Sequence, residues 1–386
     1  MPLTGDQYQS VMRVINEREL AAERACEARK KETYARLPEL KKLKDEVTSA
    51  GVTATKKYMA GDKGAREAFE KIRRTAAEME AAILAREGLP ADYLEPHFTC
   101  MDCRDTGLAE DGTPCHCFTQ LAYDIIYSQD RLRYWLERNS FESFDLSLYS
   151  DTEVDPATGV TCRAMAEQAL GTAASFVYDM TGRPIHGNPA VMAAVAASGK
   201  CPALAEASPA RASETAGTAT SRSAVSIAPA GPASTAPSDP ALAEARASAA
   251  PNLVIYGSTG TGKTFLTHCI TGEVMDAGKT CIYLTAAEFA DVAEKAEFRH
   301  QPGDFRNCFT CDLLVIDDLG TELVNTFTSG VVYRVVNERL LNRKATVIST
   351  NLLLDQLQST YSDRTFSRLG GNYKFIRLVG ADHRVE

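Results

Sequence analysis

Among 386 residues there is one tryptophan, and there is no run of 18 apolar residues. The second absence excludes a membrane-spanning helix. A basic excess is also missing: 42 Lys and Arg face 51 Asp and Glu, for a formal charge of −9. That balance argues against a protein that coats nucleic acid by bulk charge, although it leaves room for local basic patches. The opening Met-Pro-Leu-Thr-Gly-Asp lacks the basic and apolar regions of a signal peptide, so a cytoplasmic location and no membrane association are expected. Disulfides are rare in that compartment, and the eleven cysteines are expected to be thiols or metal ligands.

What the chain does contain is enough apolar residue, 44%, for a core, and enough length for two or three domains. Composition divides it into five stretches. Residues 1–95 are rich in Ala, Glu, Lys and Arg, with helical spacing in Tyr8, Val11, Val14 and Ile15 and again in Phe69, Ile72, Met79 and Ile83. They read as a helical, partner-binding region. Residues 96–120 hold a cysteine cluster. Residues 121–184 read as a helical bridge, in which Tyr123, Tyr127, Tyr134 and Trp135 are expected to be packing residues. Residues 185–250 read as a flexible, low-complexity insertion: in 201–250, Ala supplies 18 of 50 positions and Pro six. Residues 251–386 alternate strand candidates (253–256, 280–284, 312–316, 346–350, 373–378) with helical segments. This alternation predicts an α/β domain with a parallel sheet.

The most specific signal lies in that last stretch. Residues 257–264 read Gly257-Ser258-Thr259-Gly260-Thr261-Gly262-Lys263-Thr264, directly after Leu253-Val254-Ile255-Tyr256. A glycine-rich loop between a strand and a helix aims backbone N–H groups at phosphate oxygens, and the helix adds its positive end. Lys263 is expected to reach the β- and γ-phosphates, and the Thr264 hydroxyl to bind Mg²⁺. The implied ligand is a nucleoside triphosphate. Downstream, Leu313-Leu314-Val315-Ile316 places Asp317 at the end of a buried strand, where a carboxylate can hold the Mg²⁺ hydration shell and Asp318 can polarise the attacking water. Asn351 ends another strand, and it lies near the terminal phosphate if that strand sits between the other two. It also reads as an ordinary helix cap. Arg364 and Arg368, four apart, share a helix face. In an oligomer one of them can enter a neighbour's site as an arginine finger.

Cys100, Cys103, Cys115 and Cys117 fall within 18 residues. Four thiolates can enclose a tetrahedral Zn²⁺ in a closed structural site. The second pair is tighter than usual for such sites, so His116 can replace one member, and His97 lies just before the first pair.

Together C-M-D-C-R-D-T-G, C-H-C-F, F-E-S-F-D-L-S-L-Y-S-D, G-S-T-G-T-G-K-T-F-L, C-D-L-L-V-I-D-D-L-G-T-E, I-S-T-N-L and Y-S-D-R-T-F-S-R-L resemble the bacterial replicative-helicase loaders. These are DnaC/DnaI-like AAA+ proteins that overlap with IstB-type ATPases. The resemblance covers about 210 residues. It implies an AAA+ P-loop fold with a minimal or absent lid, preceded by a helical region and a small zinc module. It assigns Lys263 and Thr264 to Walker A, Asp317 and Asp318 to Walker B, and Asn351 to sensor 1. Arg364 falls at the finger position, and Arg384 matches a basic residue that contacts nucleotide phosphates. The expected cofactors are ATP, Mg²⁺ and Zn²⁺. The expected partners are a replicative DNA helicase, single-stranded DNA and further copies of the chain in the ATP state. An Asp at 318, where many AAA+ ATPases carry Glu, implies slow hydrolysis, which another acid such as Glu322 can assist. A transposition helper and a zinc adaptor with little turnover are the other readings.

Overall fold

The structure is a computed structural model, and it describes residues 3–62, 64–127, 129–199, 251–298 and 302–382. Two units are present, Tyr8–Phe118 and Thr119–Glu386, the latter with the first seven residues.

The first unit is helical, with α1 at Gly5–Arg36, α2 at Pro38–Met59 and α3 at Ala65–Arg86. Pro38 is tolerated at the first turn of α2 because its missing N–H would have no intrahelical partner there. Leu37, Leu40, Leu84 and Leu94 form a small core. The Arg29 guanidinium donates to the carbonyls of Tyr93 and Glu95, which ties the segment after α3 back onto α1. Val11 and Ile15 of α1 are buried, as their spacing predicts. Ile72 and Met79 of α3 are about half exposed, however, and the buried positions of α3 are Ala65, Ala76 and Leu84. These large side chains, which the spacing puts on related faces of α3, are therefore partly left to solvent.

The second unit is built on a five-stranded sheet: β1 Asn252–Tyr256, β2 Cys281–Thr285, β3 Leu313–Leu319, β4 Ala345–Thr350 and β5 Lys374–Arg377. The order is β2-β3-β4-β1-β5 and every neighbouring pair is parallel. The helices between strands are α8 Lys263–Asp276, α9 Ala286–Phe298, α10 Pro302–Thr310, α11 Thr326–Leu341, α12 Leu354–Tyr361 and α13 Asp363–Asn372. Ahead of the sheet lie α4 His116–Ile126, α5 Asp130–Leu136, a 3₁₀ turn at Leu146–Leu148, α6 Cys162–Thr181 and α7 Pro189–Ser198.

Strand side chains alternate between two cores. Leu253, Ile255, Leu313, Val315 and Val347 pack with α6, α7 and α8. Val254, Leu314, Ile316 and Ile348 pack with α9, α10 and α11. A sheet covered on both faces needs apolar residues at every strand position. This explains the apolar runs Leu253–Tyr256 in β1 and Leu313–Ile316 in β3.

The predicted insertion at 185–250 requires correction at its start. Ile185, Val191 and Val195 are buried in the first of these cores, and α7 has an Asn188 cap, a Pro189 first turn and a left-handed Gly199 end. The surrounding alanines hid a short helix whose few large residues all face inward. Residues 200–250 lie outside the described residues.

One buried cation ties the strand starts together. The Arg339 guanidinium, from α11, donates to the carbonyls of Cys308, Cys311 and Ala345 and to the Thr346 hydroxyl. It is fully buried, and these oxygens take the place of its water.

Candidate functional site

The phosphate loop is held from outside itself. Gly262 takes φ 87° where the loop enters α8, and a Cβ there would lie 2.6 Å from the Tyr149 hydroxyl. That hydroxyl donates to the Thr261 carbonyl at 2.9 Å. A Cβ at Gly257 would fall 1.9 Å from the Leu378 carbonyl, so this glycine permits the segment after β5 to cross the loop. Within the loop, Lys263 is almost buried and its Nζ donates to the Ser258 carbonyl at 2.6 Å. Ser258 also accepts from the Thr261 hydroxyl at 2.9 Å.

The acids sit at a break in the ladder. β3 runs on through Leu319, but its register with β4 shifts between Ile316 and Leu319. Asp318 there has φ 55°, a left-handed conformation that aspartate tolerates better than most residues. A bulge of this kind re-aims side chains. The Ser349 hydroxyl of β4 donates to Asp317 and accepts from the Asp318 N–H at 2.9 Å. The Asn351 amide donates to Asp318 at 3.4 Å. β4 does lie between β3 and β1, which is the condition for Asn351 to approach the terminal phosphate.

Gly260, Gly262, Lys263, Thr264, Asp317, Asp318 and Asn351 line one cleft of about 680 Å³. Thr264 and Asp317 offer it a hydroxyl and a carboxylate, the oxygen donors that Mg²⁺ prefers.

Sequence reasoning missed the opposite wall. Tyr127, Trp135, Asn139, His268 and Tyr283 also line the cleft. Trp135 is 47% exposed and stacks on His268, with ring centroids 6.3 Å apart and planes within 7°. The predicted packing role holds for buried Tyr123, whereas Trp135 is a wall of the cleft. His268 lies one helical turn after Thr264 on α8, a spacing that could have marked it as facing the same side. The Asn139 amide donates to its Nδ1 at 2.8 Å, and burial pushes its pKa down to about 4, so at neutral pH it is the uncharged imidazole. Tyr283 meets the Thr267 hydroxyl at 3.0 Å, and its phenol is pushed well above its usual range by burial and by Asp317.

Neither Arg364 nor Arg368 lines this cleft. Arg368 is engaged within the chain: it donates to Asn337 at 2.7 Å and lies 5.0 Å over the Tyr333 ring. Arg364 is exposed. Glu322 accepts from the Gly320 N–H at 2.8 Å and from the Tyr361 hydroxyl, and it is not among the cleft residues. The assisting role expected of it is not supported by this placement. Arg384 lies outside the described residues.

In the other unit, the Sγ atoms of Cys100, Cys103, Cys115 and Cys117 all lie within 4.8 Å of one another. Cys100–Cys115 is 3.8 Å and Cys103–Cys117 is 3.4 Å. These spacings are too long for disulfides. They suit a tetrahedron with Zn–S bonds of about 2.3 Å, whose edges are about 3.8 Å. The surrounding turn is shaped for such a site. Buried Asp105 accepts from the N–H groups of Thr99 and Cys100 at 2.8 and 2.9 Å. Gly107 takes φ 77° beneath Ile15, where a Cβ would lie 2.8 Å from that side chain. His116 Nε2 stands 3.4 Å from Cys100 Sγ and 3.1 Å from Asp102, beside the four sulfurs. His97 is exposed and bonded to Asp92. Burial pushes the Cys115 thiol up to about 11, so a bound cation is what would favour its thiolate at neutral pH.

Comparison with known proteins adds a lineage. The family described as IstB-like ATP binding protein matches residues 244–369. The replicative helicase loader DnaC of Escherichia coli K12 is 25% identical over 122 residues, 31% of this chain and 49% of that protein. The chromosomal replication initiator protein DnaA of Aliarcobacter butzleri is 30% identical over 135 residues, 34% of this chain and 31% of that protein. These matches converge, at a distance, on the DnaC/DnaI/IstB-like AAA+ ATPases. The chain spans about half the length of the loader it matches and about a third of the initiator. Among solved structures, a DnaC helicase loader is 20% identical with a TM-score of 0.31, covering 33% of this chain and 78% of that one.

Two measurements follow from these sites. His268 resists protonation when folded, so stability is fully present above the unfolded value of 6.5 and is lost as pH falls toward 4. Between pH 7.5 and pH 5 this group should remove about 2 kcal/mol, read by urea unfolding. His268→Gln should lose that component, and an unchanged pH profile in the variant would contradict the assignment. Metal analysis of the purified chain should find about one zinc per chain, lowered by Cys103→Ser. A metal-free wild-type protein that keeps the cysteine turn ordered would contradict the zinc site.

Proposed function

We propose that the chain is an ATP-dependent loader of a replicative DNA helicase. In this reading the helical region and zinc module grip the helicase, while the AAA+ domain binds ATP and single-stranded DNA and helps place the ring. The observation that carries the reading is the meeting of Lys263, Thr264, Asp317, Asp318 and Asn351 in one cleft, within a chain that matches replication ATPases.

The chemistry assigned to the cleft is hydrolysis of the terminal phosphate. Lys263 and the loop N–H groups hold the phosphates. Thr264 and Asp317 would hold Mg²⁺, which neutralises phosphate charge when bound. Asp318, turned by the bulge and met by Asn351, polarises the attacking water. Arg364 supplies the finger to a neighbouring copy, because it is exposed whereas Arg368 is engaged with Asn337 and Tyr333. Four thiolates would leave a bound zinc no open position, so it would serve shape and not turnover.

The IstB-like match at 244–369 favours a second reading, a transposition helper with the same ATPase core. The two are separated by partner capture. Full-length protein with ATP should co-elute with the host's replicative helicase. Retention of a transposase instead of the helicase would reject the loader reading. Lys263→Ala should abolish nucleotide binding. Arg364→Ala should keep binding and lower assembly-stimulated hydrolysis at least about tenfold, since arginine fingers contribute large factors. Unchanged stimulated activity would reject the finger. Nucleotide binding with no turnover in any assembly would favour the zinc adaptor.

A further inference from the structure

We propose that Ser349 is a positioning residue for both acids of the cleft. One hydroxyl aims the Asp317 carboxylate and at the same time secures the backbone turn that presents Asp318. The inference rests on the reading of Asp317 as a holder of Mg²⁺.

Ser349 is fully buried in β4, a strand buried at every position. A hydroxyl in such a place is costly unless it is hydrogen-bonded. Its neighbours across the sheet are apolar on one side, with Ile255 of β1 in register. On the other side the ladder to β3 breaks between Ile316 and Leu319. There the Ser349 oxygen accepts the Asp318 N–H at 2.9 Å, and its own hydrogen goes to Asp317. A hydroxyl has one donor hydrogen and two acceptor lone pairs, so both bonds can exist together. The next residue completes the patch: the Thr350 hydroxyl donates to the Leu319 carbonyl at 2.6 Å. Two adjacent side chains thus replace the backbone ladder across the bulge.

The consequence for the site is directional. One Asp317 oxygen is engaged by Ser349, which fixes the plane of the carboxylate toward the cleft it shares with Thr264. The left-handed turn at Asp318 has its N–H held by the serine oxygen, and such a turn persists only where its surroundings hold it. Removing the hydroxyl therefore loosens both acids at once, although Ser349 itself is not among the cleft-lining residues. Ser349 also lies outside the phosphate loop at 257–264.

The test uses full-length protein and a fluorescent ATP analogue, titrated in EDTA and then with Mg²⁺, together with steady-state hydrolysis. S349A should bind nucleotide in EDTA within about twofold of wild type. Its Mg²⁺ requirement should rise about tenfold and kcat should fall at least about tenfold, with KM little changed, as expected for one lost bond to a charged group. S349T, which keeps the hydroxyl, should recover most of both. Wild-type Mg²⁺ response and kcat in S349A would overturn the proposal. So would an S349T as impaired as S349A, since keeping the hydroxyl would then restore nothing. Should S349A fail to fold, S349C takes its place, and wild-type behaviour in that weak donor would equally overturn it. A wild-type protein whose nucleotide affinity ignores Mg²⁺ would sink the metal reading of Asp317 and this role with it. A wild type that responds, beside an S349A that responds equally, would sink this role alone.

Discussion

The pairing of β3 with β4 at their C-terminal ends is the constraint on which the cleft depends. β3 is apolar through Ile316 and β4 carries Val347 and Ile348, and beyond these the ladder gives way to side-chain hydroxyls and carboxylates. The buried part supplies rigidity by being covered on both faces. The broken part supplies direction, because the bulge at Asp318 turns a strand residue toward the cleft. Rigid strands with an irregular end are a good base for chemistry, since the reacting groups are placed by packing and not by flexible loops. At the opposite end of β3 and β4, Arg339 joins Cys308, Cys311 and Ala345 through carbonyl oxygens and so secures the start of the same pair.

Much of this was legible in the sequence, for local reasons. A strand covered on both faces reads as a continuous apolar run, so β1 and β3 stood out. The phosphate loop is a local pattern whose glycines answer to backbone geometry within eight residues. The four cysteines lie close in sequence as well as in space. What escaped notice depends on tertiary contact. Nothing near Trp135 in sequence says that it will stack on His268, 133 positions later (268 − 135), and wall the cleft. Ser349 reads as one polar residue among several at a strand end, and its two bonds appear only when β3 is laid beside it. Helix α7 was hidden by its alanine-rich surroundings, because three inward-facing large residues hardly alter composition. Arg364 and Arg368 are equivalent by spacing and differ only in whether Asn337 and Tyr333 are within reach.

The two units carry different kinds of chemistry. In one, four sulfurs converge on a turn whose shape depends on Asp105, Gly107 and the buried side of α1. A small loop of this kind has little core of its own, and metal binding would contribute directly to its folding. In the other, the polar groups converge on a cleft with an aromatic wall and a neutral, buried imidazole. The first suits a fixed surface and the second suits an exchangeable ligand, which matches the division of labour proposed for a loader.

In the proposed reading, the cleft between the phosphate loop and Trp135 receives a nucleoside triphosphate with Mg²⁺. Because the chain holds a single tryptophan, its fluorescence reports on that cleft alone. Titration of the full-length protein with MgATP should give a saturable change in Trp135 emission, and Lys263→Ala should abolish it. A wild-type emission that stays flat while calorimetry also detects no binding would contradict the account.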